Sequence, residues 1–288
     1  MQNVSFIGLG VMGYPMAGHL QKKGYNVKVF NRTDSKAIKW VEEFGGQKVN
    51  TPSEVCSTAE IIFMCVGRDE DIIEIMDGNN GILSSAKEGT IIVDHTTASA
   101  EIARTYFQKL KKINIGFLDA PISGGQAGAE NGVLSIMIGG EKKYFELVKP
   151  VLKSYGKSIE LIGPSGSGQI AKMINQICIA GLVQGLSEAM AFGKKANVDM
   201  EKVLSVISKG AAQSWQMENR YRTMLDGKFD YGFAVDWMRK DLSICFREAK
   251  KNGASLPITE IVDKYYEEVQ KNGGNRFDTS SLITLVDK

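Results

Sequence analysis

A lysine and two amides lie at helical spacing in the stretch GSGQIAKMINQ. Lys172, Asn175 and Gln176 are three and four residues apart, so a helix would place them on one face. A buried lysine can exchange a proton with a substrate oxygen, and a neighbouring amide can orient that oxygen. An ordinary exposed lysine fits the same pattern, and the spacing alone favours this second interpretation.

A glycine-rich turn follows the first apolar run. Residues 8–13 read GLGVMG, the G-x-G-x-x-G pattern, with a strand-like run before it and an amphipathic helical pattern after it. The glycines permit a tight turn and a close approach to a pyrophosphate, and the helix N-terminus offers free N–H groups. A plain turn without a ligand is the alternative. We expect a dinucleotide to bind at Gly8, Leu9, Gly10, Val11, Met12 and Gly13.

The end of the second strand-like run indicates which dinucleotide would bind. An acidic residue there would hold the ribose 2′-hydroxyl of NAD, whereas this chain has Asn31, Arg32 and Thr33. Arginine can fork onto a phosphate, and the other two side chains can donate hydrogen bonds. This favours NADP. Asp34 argues for NAD, because a small loop shift would bring its carboxylate to the ribose, and Arg32 as a plain surface residue is a further alternative.

A Ser-Gly-Gly step follows another strand-like run, in the stretch DAPISGGQAG. The hydroxyl of Ser123 and the successive backbone N–H groups of Gly124 and Gly125 would make a good anion cradle. Glycine also lets a substrate carboxylate approach the main chain closely. The stretch is therefore a candidate carboxylate-binding loop, and a mobile surface loop fits it equally well.

The stretch FAVDWMRKDL combines an aromatic residue with a cation and an acid. Phe233 and Lys240 are seven residues apart, which is two helical turns on one face, and Asp241 follows. An aromatic ring and a cation on one face could contact a cofactor. A solvated helix with a core phenylalanine is the more common explanation.

Strand-like and helical patterns alternate in the first half of the chain. The strand-like runs cover residues 4–7, 27–30, 61–65, 91–94, 116–119, 134–138 and 158–162. Such alternation predicts a parallel sheet with helices on both faces. After residue 163 the strands stop, and helical patterns fill the rest, beginning at 170–195 and breaking at KANVD, LDGKFDYG, KNGASLP and KNGGNRFD. We predict an α/β domain followed by an all-helical domain.

Length and charge limit the class of protein. With 288 residues, 43% of them hydrophobic, the chain can bury a sizeable core, and a net charge of +2 gives no general attraction to nucleic acid or anionic membranes. We expect no apolar run to reach the roughly 18–20 residues that a membrane span needs. The first residues enter a strand at once, which leaves no room for a signal peptide.

Cysteine and histidine usage points to a reducing compartment and to no metal. His19 and His95 have no ligand-spaced partners, so we expect no metal site. The four cysteines lie far apart without C-x-x-C spacing: Cys56, Cys65, Cys178 and Cys245. We expect them to be reduced and mostly buried, and we expect the protein to be cytoplasmic.

Five stretches together resemble the β-hydroxyacid dehydrogenase family in order and spacing. They are GLGVMGYPMAGHL, DHTTAS, DAPISGGQAGAENGVLSIMIGG, GSGQIAKMINQ and RKDL, and the resemblance covers nearly the entire chain. It implies a Rossmann-type NADP-binding domain over 1–163 and a helical substrate and oligomerisation domain over 164–288. It also implies reversible hydride transfer between a nicotinamide and a small 3-hydroxy acid or its aldehyde acid.

The resemblance also implies roles for individual residues. Lys172 matches the family's catalytic lysine and Asn175 a substrate-binding asparagine, while Ser123, Gly124 and Gly125 match the substrate-carboxylate loop. Thr97 matches a threonine near both substrate and nicotinamide. The remaining matches border the cofactor or lie in the same site segment: Cys65, Val66, Phe233, Lys240 and Asp241.

This chain departs from the family pattern at three places. Gln176 stands where a second Asn is common, so one substrate hydrogen bond would be re-aimed. Cys65 and Val66 stand where Leu-Pro is common. The segment at Arg32 resembles that of the NADP-using glyoxylate and succinic semialdehyde reductases of the family, whereas members that use NAD usually carry an acidic residue there.

Several alternatives stay open within and beyond the resemblance. A non-catalytic NADP-binding module and an imine reductase both usually lack the lysine, which Lys172 supplies here. A phosphogluconate-type enzyme would need a longer chain and further basic residues. An NAD-dependent 3-hydroxyisobutyrate or serine dehydrogenase stays open, as does the substrate. Gly181 and Gly185 permit close helix packing, and the resemblance implies a homodimer or homotetramer.

Overall fold

The computed structural model describes residues 2–287. These residues form two compact units, which divide between Lys172 and Met173. The first unit contains the whole sheet and the second is helical. The predicted order of an α/β part followed by an all-helical part is confirmed. The exact boundary after residue 163 stays a prediction.

One mixed sheet forms the first unit. Its strands are β1 (Asn3–Ile7), β2 (Asn26–Phe30), β3 (Gln47–Lys48), β4 (Ile61–Met64), β5 (Ile91–Asp94), β6 (Gly116–Asp119), β7 (Ile122–Ser123), β8 (Leu134–Gly140) and β9 (Gly156–Gly163). The strand order is β3-β2-β1-β4-β5-β6-β8-β7, and β9 also pairs with β8. The seven predicted strands are present, each within one or two residues of its predicted ends.

The sheet is parallel from β1 to β6 and changes direction at β8. In the parallel part Val4 pairs with Val27 on one side and with Ile61 on the other. Strand β8 runs antiparallel to β6 and β7 and parallel to β9. The expectation of a parallel sheet thus holds for six strands. Strands β3 and β7 were missed, because two residues are too short to show an alternating pattern.

Helices cover the sheet. They are α1 (Gly13–Lys22), α2 (Asp34–Phe44), α3 (Asp69–Asp77), α4 (Ala100–Lys111), α5 (Gly125–Glu130) and α6 (Lys142–Leu152). Alternate residues of one strand enter two separate apolar clusters: Ile61 and Phe63 belong to one, Ile62 and Met64 to the other. A strand buried on both faces in this way reads as a continuous apolar run. Helices on both faces therefore explain the sequence pattern of β4.

The second unit continues from a long helix. Its helices are α7 (Ser167–Lys195), which begins in the first unit, α8 (Met200–Ile207), α9 (Trp215–Leu225), α10 (Val235–Asn252), α11 (Pro257–Lys271) and α12 (Ile283–Val286). The predicted breaks are confirmed. Gly253 ends α10 in a left-handed conformation, with φ of 79°, and Pro257 begins α11. Both residues hold their usual positions at helix ends.

Helix α7 is longer and more apolar than expected. Among the described residues it is the one helix that is long and apolar enough to cross a membrane. It contains an 18-residue window with a mean hydropathy of 1.2 and at most two charged residues. The expectation that no stretch reaches this limit is therefore wrong. Of that window, 44% is buried inside the protein. A core helix passes the same test, so a single such helix is weak evidence for a span.

The exposure of the cysteines differs from the expectation that they are mostly buried. The four cysteines are free, but only Cys56 and Cys245 are buried, while Cys65 is half-buried and Cys178 is exposed. On α7, Ile174 lies one turn before Cys178 and is 58% exposed. Periodicity marks an apolar face of a helix without saying what covers it.

Candidate active site

The glycine-rich turn joins β1 to α1 and is packed tightly at two of its three glycines. Gly8 has a φ of 94°, and a Cβ there would lie 2.2 Å from the carbonyl oxygen of Cys65. A Cβ on Gly13 would lie 1.9 Å from the carbonyl oxygen of Gly8. A Cβ on Gly10 would meet no heavy atom within 4 Å. The turn is therefore open at Gly10, where a pyrophosphate needs room, and it fits a dinucleotide.

The turn residues differ in what they offer a ligand. Leu9 is packed in the core at 1% exposure, so only its backbone can face a cofactor. Val11 is exposed, and Met12 is half-buried against the apolar cluster. The helix that follows begins at Gly13, and its first N–H groups have no partner within the helix.

The loop after β2 carries the polar residues predicted to read the ribose. The side chain of Arg32 is 78% exposed and lies 3.4 Å from Asp71 and 3.9 Å from Glu74, both on α3. The carboxylate of Asp34 is paired with Lys48 at 2.5 Å. Thr33 precedes α2 without capping it through its side chain. Asp34 thus already has a cationic partner, which makes it less available to accept a hydrogen bond from a ribose hydroxyl.

The ends of β4 and β5 are tied to each other. The backbone N–H of Cys65 donates to the carbonyl oxygen of Ile7 at 2.8 Å. The next N–H, of Val66, donates to Oγ1 of Thr96 at 3.0 Å, and the N–H of Thr96 donates to Asp94 Oδ1 at 2.9 Å. The predicted site residues Val66 and Thr97 therefore lie on connected backbone segments.

Two buried titratable groups end β5, and sequence reasoning had singled out neither as a site residue. Burial raises the pKa of Asp94 to about 7. The hydrogen bonds from Thr96 lower this pKa, and the charges of Asp119 and Asp69 raise it further. Burial lowers the pKa of His95 to about 4. The His95 ring lies 2.6 Å from the Ala120 oxygen through Nδ1 and 2.8 Å from the Tyr155 hydroxyl through Nε2.

The Ser-Gly-Gly step joins a short strand to a short helix. Ser123 ends β7 and Gly125 begins α5, with φ of 133° at Gly124 and 62° at Gly125. Residues with a side chain rarely adopt such angles, which explains the two glycines. At the other end of α5, the ring Nε2 of His19 lies 3.0 Å from the carbonyl oxygen of Ala129. The step therefore lies between a strand and a helix, with both glycines in conformations that suit glycine.

Lys172 lies in the second turn of α7 and is buried, with 8% of its surface exposed. The start of this helix is held by Asp119, whose carboxylate accepts from the N–H groups of Gly166 at 2.7 Å and Gln169 at 3.0 Å. Burial raises the pKa of Asp119, while these hydrogen bonds act in the opposite direction. The alternative of an exposed surface lysine is wrong.

A chain of polar contacts links predicted residues of the second unit. The Asn175 amide donates to Gln176 Oε1 at 2.8 Å, and Gln176 Nε2 donates to Asp241 Oδ2 at 2.6 Å. Lys240 Nζ lies 3.0 Å from Asp241 Oδ1. Asp241 is 2% exposed, so these side chains take the place of water around its carboxylate. Sequence spacing gave no sign of the contact between Gln176 and Asp241.

The helical placement of Phe233 is wrong. Helix α10 begins at Val235, so Phe233 precedes it and shares no helical face with Lys240. Its backbone N–H donates to Asp278 Oδ2 at 3.0 Å. Asp278 is buried and lies 3.3 Å from Nε of Arg220. A buried carboxylate thus holds the Phe233 segment, and the seven-residue spacing is incidental.

Metal-ligating side chains do not cluster in the part of the chain that the structure describes. No group of three or more His, Cys, Asp or Glu side chains there could hold a metal ion. A sheet with six parallel strands and a glycine-rich turn at the carboxyl end of β1 defines a dinucleotide-binding protein of the Rossmann type.

Comparison with known proteins agrees with this class. Residues 3–163 match the model of the NAD binding domain of 6-phosphogluconate dehydrogenase. Residues 166–286 match the model described as NAD-binding of NADP-dependent 3-hydroxyisobutyrate dehydrogenase. The chain belongs to the β-hydroxyacid dehydrogenase family of oxidoreductases, which act on CH–OH groups with NAD(P).

Relatives align over almost the whole chain. An uncharacterized oxidoreductase of Shewanella frigidimarina is 56% identical over 100% of this chain and 99% of its own. The 2-hydroxy-3-oxopropionate reductase of Escherichia coli is 34% identical over 99% of this chain and 97% of its own. A solved 3-hydroxyisobutyrate dehydrogenase from Salmonella typhimurium superposes with a TM-score of 0.88 at 25% identity, over 99% of this chain and 100% of that one.

Proposed function

We propose that this protein is an NADPH-dependent reductase that converts a small aldehyde acid to its 3-hydroxy acid, with Lys172 as proton donor. The observation that carries the proposal is the burial of Lys172 in the second turn of α7, within the family motif GSGQIAKMINQ. The 34% identical relative is named as a reductase of an aldehyde acid, which supports this substrate class. Residues 1–163 would form the cofactor-binding domain, and residues 164–288 would form the domain for substrate binding and oligomerisation.

The preference for NADP rests on the loop after β2. Arg32 is exposed and is held by two weak ion pairs, so it can turn to a 2′-phosphate at little cost. Thr33 and Asn31 lie beside it, while Asp34 is engaged by Lys48. The cofactor would also be bordered by the turn residues 8–13 and by Cys65, Val66, Thr97, Phe233 and Lys240.

Substrate binding is assigned to polar groups that suit a carboxylate and a reacting oxygen. The backbone N–H groups at Gly124 and Gly125 and the hydroxyl of Ser123 would hold the carboxylate. The Asn175 amide would orient the reacting oxygen. Thr97 and Asp241 are the other two residues assigned to substrate binding.

Proton transfer falls to the lysine. The nicotinamide, when bound, supplies the hydride for reduction or accepts it in oxidation. Lys172 would give a proton to the substrate oxygen during reduction and take it back during oxidation. The remaining residues hold the reactants in place, which converts an encounter in solution into a step within one complex.

Helix α7 supports a homodimer or homotetramer. Leu182 and Phe192 are exposed on this helix, the latter at 77%, and nothing lies within 4 Å of a Cβ added at Gly181 or Gly185. An apolar helix face of this kind is costly in water unless a partner covers it. Light scattering on the purified protein would give the mass of the assembly. The four free cysteines are in keeping with the reducing cytoplasm.

A spectrophotometric panel tests the function. Absorbance of the reduced nicotinamide would be followed with NADPH and with NADH, using glyoxylate and the semialdehydes of succinate, methylmalonate and tartronate. The reverse reaction would use 3-hydroxyisobutyrate and serine. We expect fast oxidation of NADPH with one aldehyde acid. Activity restricted to NADH would favour an NAD-dependent dehydrogenase, and tight NADPH binding with no turnover would favour a non-catalytic module.

A further inference from the structure

Gln169 makes contacts that neither its position nor the family motif explains. It lies in the first turn of α7 and is 1% exposed. Its side-chain Nε2 donates to the carbonyl oxygen of Thr96 at 2.7 Å, and its Oε1 accepts from the N–H of Ala98 at 3.0 Å. One side-chain amide thus binds the backbone on both sides of Thr97.

The same residue is fixed at its own backbone. The N–H of Gln169 donates to Asp119 Oδ2 at 3.0 Å, where Asp119 holds the start of α7. Lys172 lies three residues further along the helix, so the two side chains leave neighbouring positions of one face. Gln169 is therefore linked to the end of β6, to the Thr97 segment and, through the helix, to Lys172.

We propose that Gln169 is a positioning residue that sets the place of Thr97 relative to Lys172. The proposal rests on the proposed function, because it concerns two residues assigned to that reaction. A glutamine amide matches a backbone N–H and C=O pair in the way that a neighbouring strand would, and both bonds are shielded from water. Loss of the amide leaves the Thr96 carbonyl oxygen and the Ala98 N–H without these partners and frees the segment between them.

Two substitutions separate positioning from packing. Gln169→Met keeps the length and apolar contacts of the side chain and removes both hydrogen bonds. Gln169→Glu keeps the shape and restores a donor to the Thr96 carbonyl oxygen only while the introduced carboxyl is protonated. Ser165→Ala is the matched control, because Ser165 Oγ bonds to Ala103 and Asp119 near the same helix start without touching the Thr97 segment.

Amide hydrogen exchange gives a readout that does not depend on activity. We expect Gln169→Met to speed exchange at the Ala98 N–H while Ser165→Ala leaves it unchanged. We also expect kcat of Gln169→Met to fall by about 10- to 100-fold, since small displacements of reacting groups are costly, with little change in NADPH affinity. Unchanged exchange at Ala98 would overturn the proposal, as would a normal kcat.

The pH profile of Gln169→Glu adds a test that a merely structural role would not satisfy. The titratable and charged groups on the elements around the introduced carboxyl include Asp94 and His95 at the end of β5 and Asp119 at the end of β6. They also include Asp69, which accepts from the Ser99 N–H, Arg104 on α4 and Lys172 on α7. The ratio of variant to wild-type kcat should rise as pH falls, because protonation restores the donor. A flat ratio would overturn the proposal. If the wild type reduces no aldehyde acid, the proposed function fails, whereas the exchange experiment still tests Gln169.

Discussion

The side-chain oxygen of Asn31 accepts a hydrogen bond from the backbone N–H of Leu9 at 2.9 Å. The same amide donates from Nδ2 to the carbonyl oxygen of Thr33 at 2.9 Å. Asn31 therefore ties the glycine-rich turn to the loop that carries Arg32. Asn31 is predicted to contact the cofactor. It also has a structural role, because it holds the glycine-rich turn and the Arg32 loop together.

Removal of the Asn31 amide should weaken cofactor binding. Asn31→Ala takes away the acceptor of the Leu9 N–H, and we expect NADPH affinity to fall about tenfold, as measured by fluorescence titration. Asn26→Ala is the control, because Asn26 lies at the other end of β2 and bonds to Asn3 at 3.1 Å. Equal losses in the two variants would show that the effect is a general weakening of the strand.

Arg32→Ala should change cofactor choice rather than stability. We expect KM for NADPH to rise about 10- to 100-fold and KM for NADH to stay nearly constant, because only NADPH carries the 2′-phosphate. The exposed ion pairs of Arg32 contribute about 0–1 kcal/mol to folding, so Tm should barely move. Lys28→Ala, which removes a half-buried cation of β2 that bonds to Ser57, is the control. A parallel rise in both KM values would argue against Arg32 as the phosphate contact.

Lys172→Ala should abolish most turnover while NADPH still binds. The variant lacks the proposed proton donor, and general acid catalysis is worth about 10²- to 10⁴-fold in rate. Steady-state kcat and the NADPH dissociation constant would be measured side by side. Lys194→Ala is the control on the same helix, since Lys194 pairs with Asp287 near the surface. A near-normal kcat for Lys172→Ala would remove the lysine from the mechanism.

Asp94 should make folding stability depend on pH. Its pKa is about 7 in the folded protein and about 3.9 in an unfolded chain, so the folded state holds the proton more tightly. The stabilising contribution is complete below about pH 4 and is lost as pH rises through about 7. Asp94→Asn abolishes this loss and keeps an acceptor for the Thr96 N–H.

Urea unfolding of Asp94→Asn and wild type at several pH values would measure this effect. The variant should gain stability relative to wild type between pH 4 and pH 7, by on the order of a few kcal/mol, and the difference should stay constant above that range. Asp226→Asn, at an exposed ion pair with Lys228, should show no such trend. A difference that does not change with pH would contradict a raised pKa at Asp94.

The sequence by itself determined the longer strands and helices and the glycine-rich turn at residues 8–13. Strands buried on both faces appear as short apolar runs, as at β4, and helix ends carry local signals such as Gly253 and Pro257. The tight turn at residues 8–13 could be predicted as well, because its glycine pattern is a local signal. Tight backbone packing at Gly8 and Gly13 excludes any side chain there.

Only the tertiary structure decided which polar groups meet. Whether Lys172 is buried, which carboxylate holds Gln176, and which backbone Gln169 binds all depend on segments far apart along the chain. The same is true of Phe233. Its spacing from Lys240 predicted a place on the same helix, but Phe233 precedes α10, and its backbone N–H donates to Asp278. Local periodicity reports the conformation of one segment, whereas burial and hydrogen bonding of a side chain depend on the segments that pack against it.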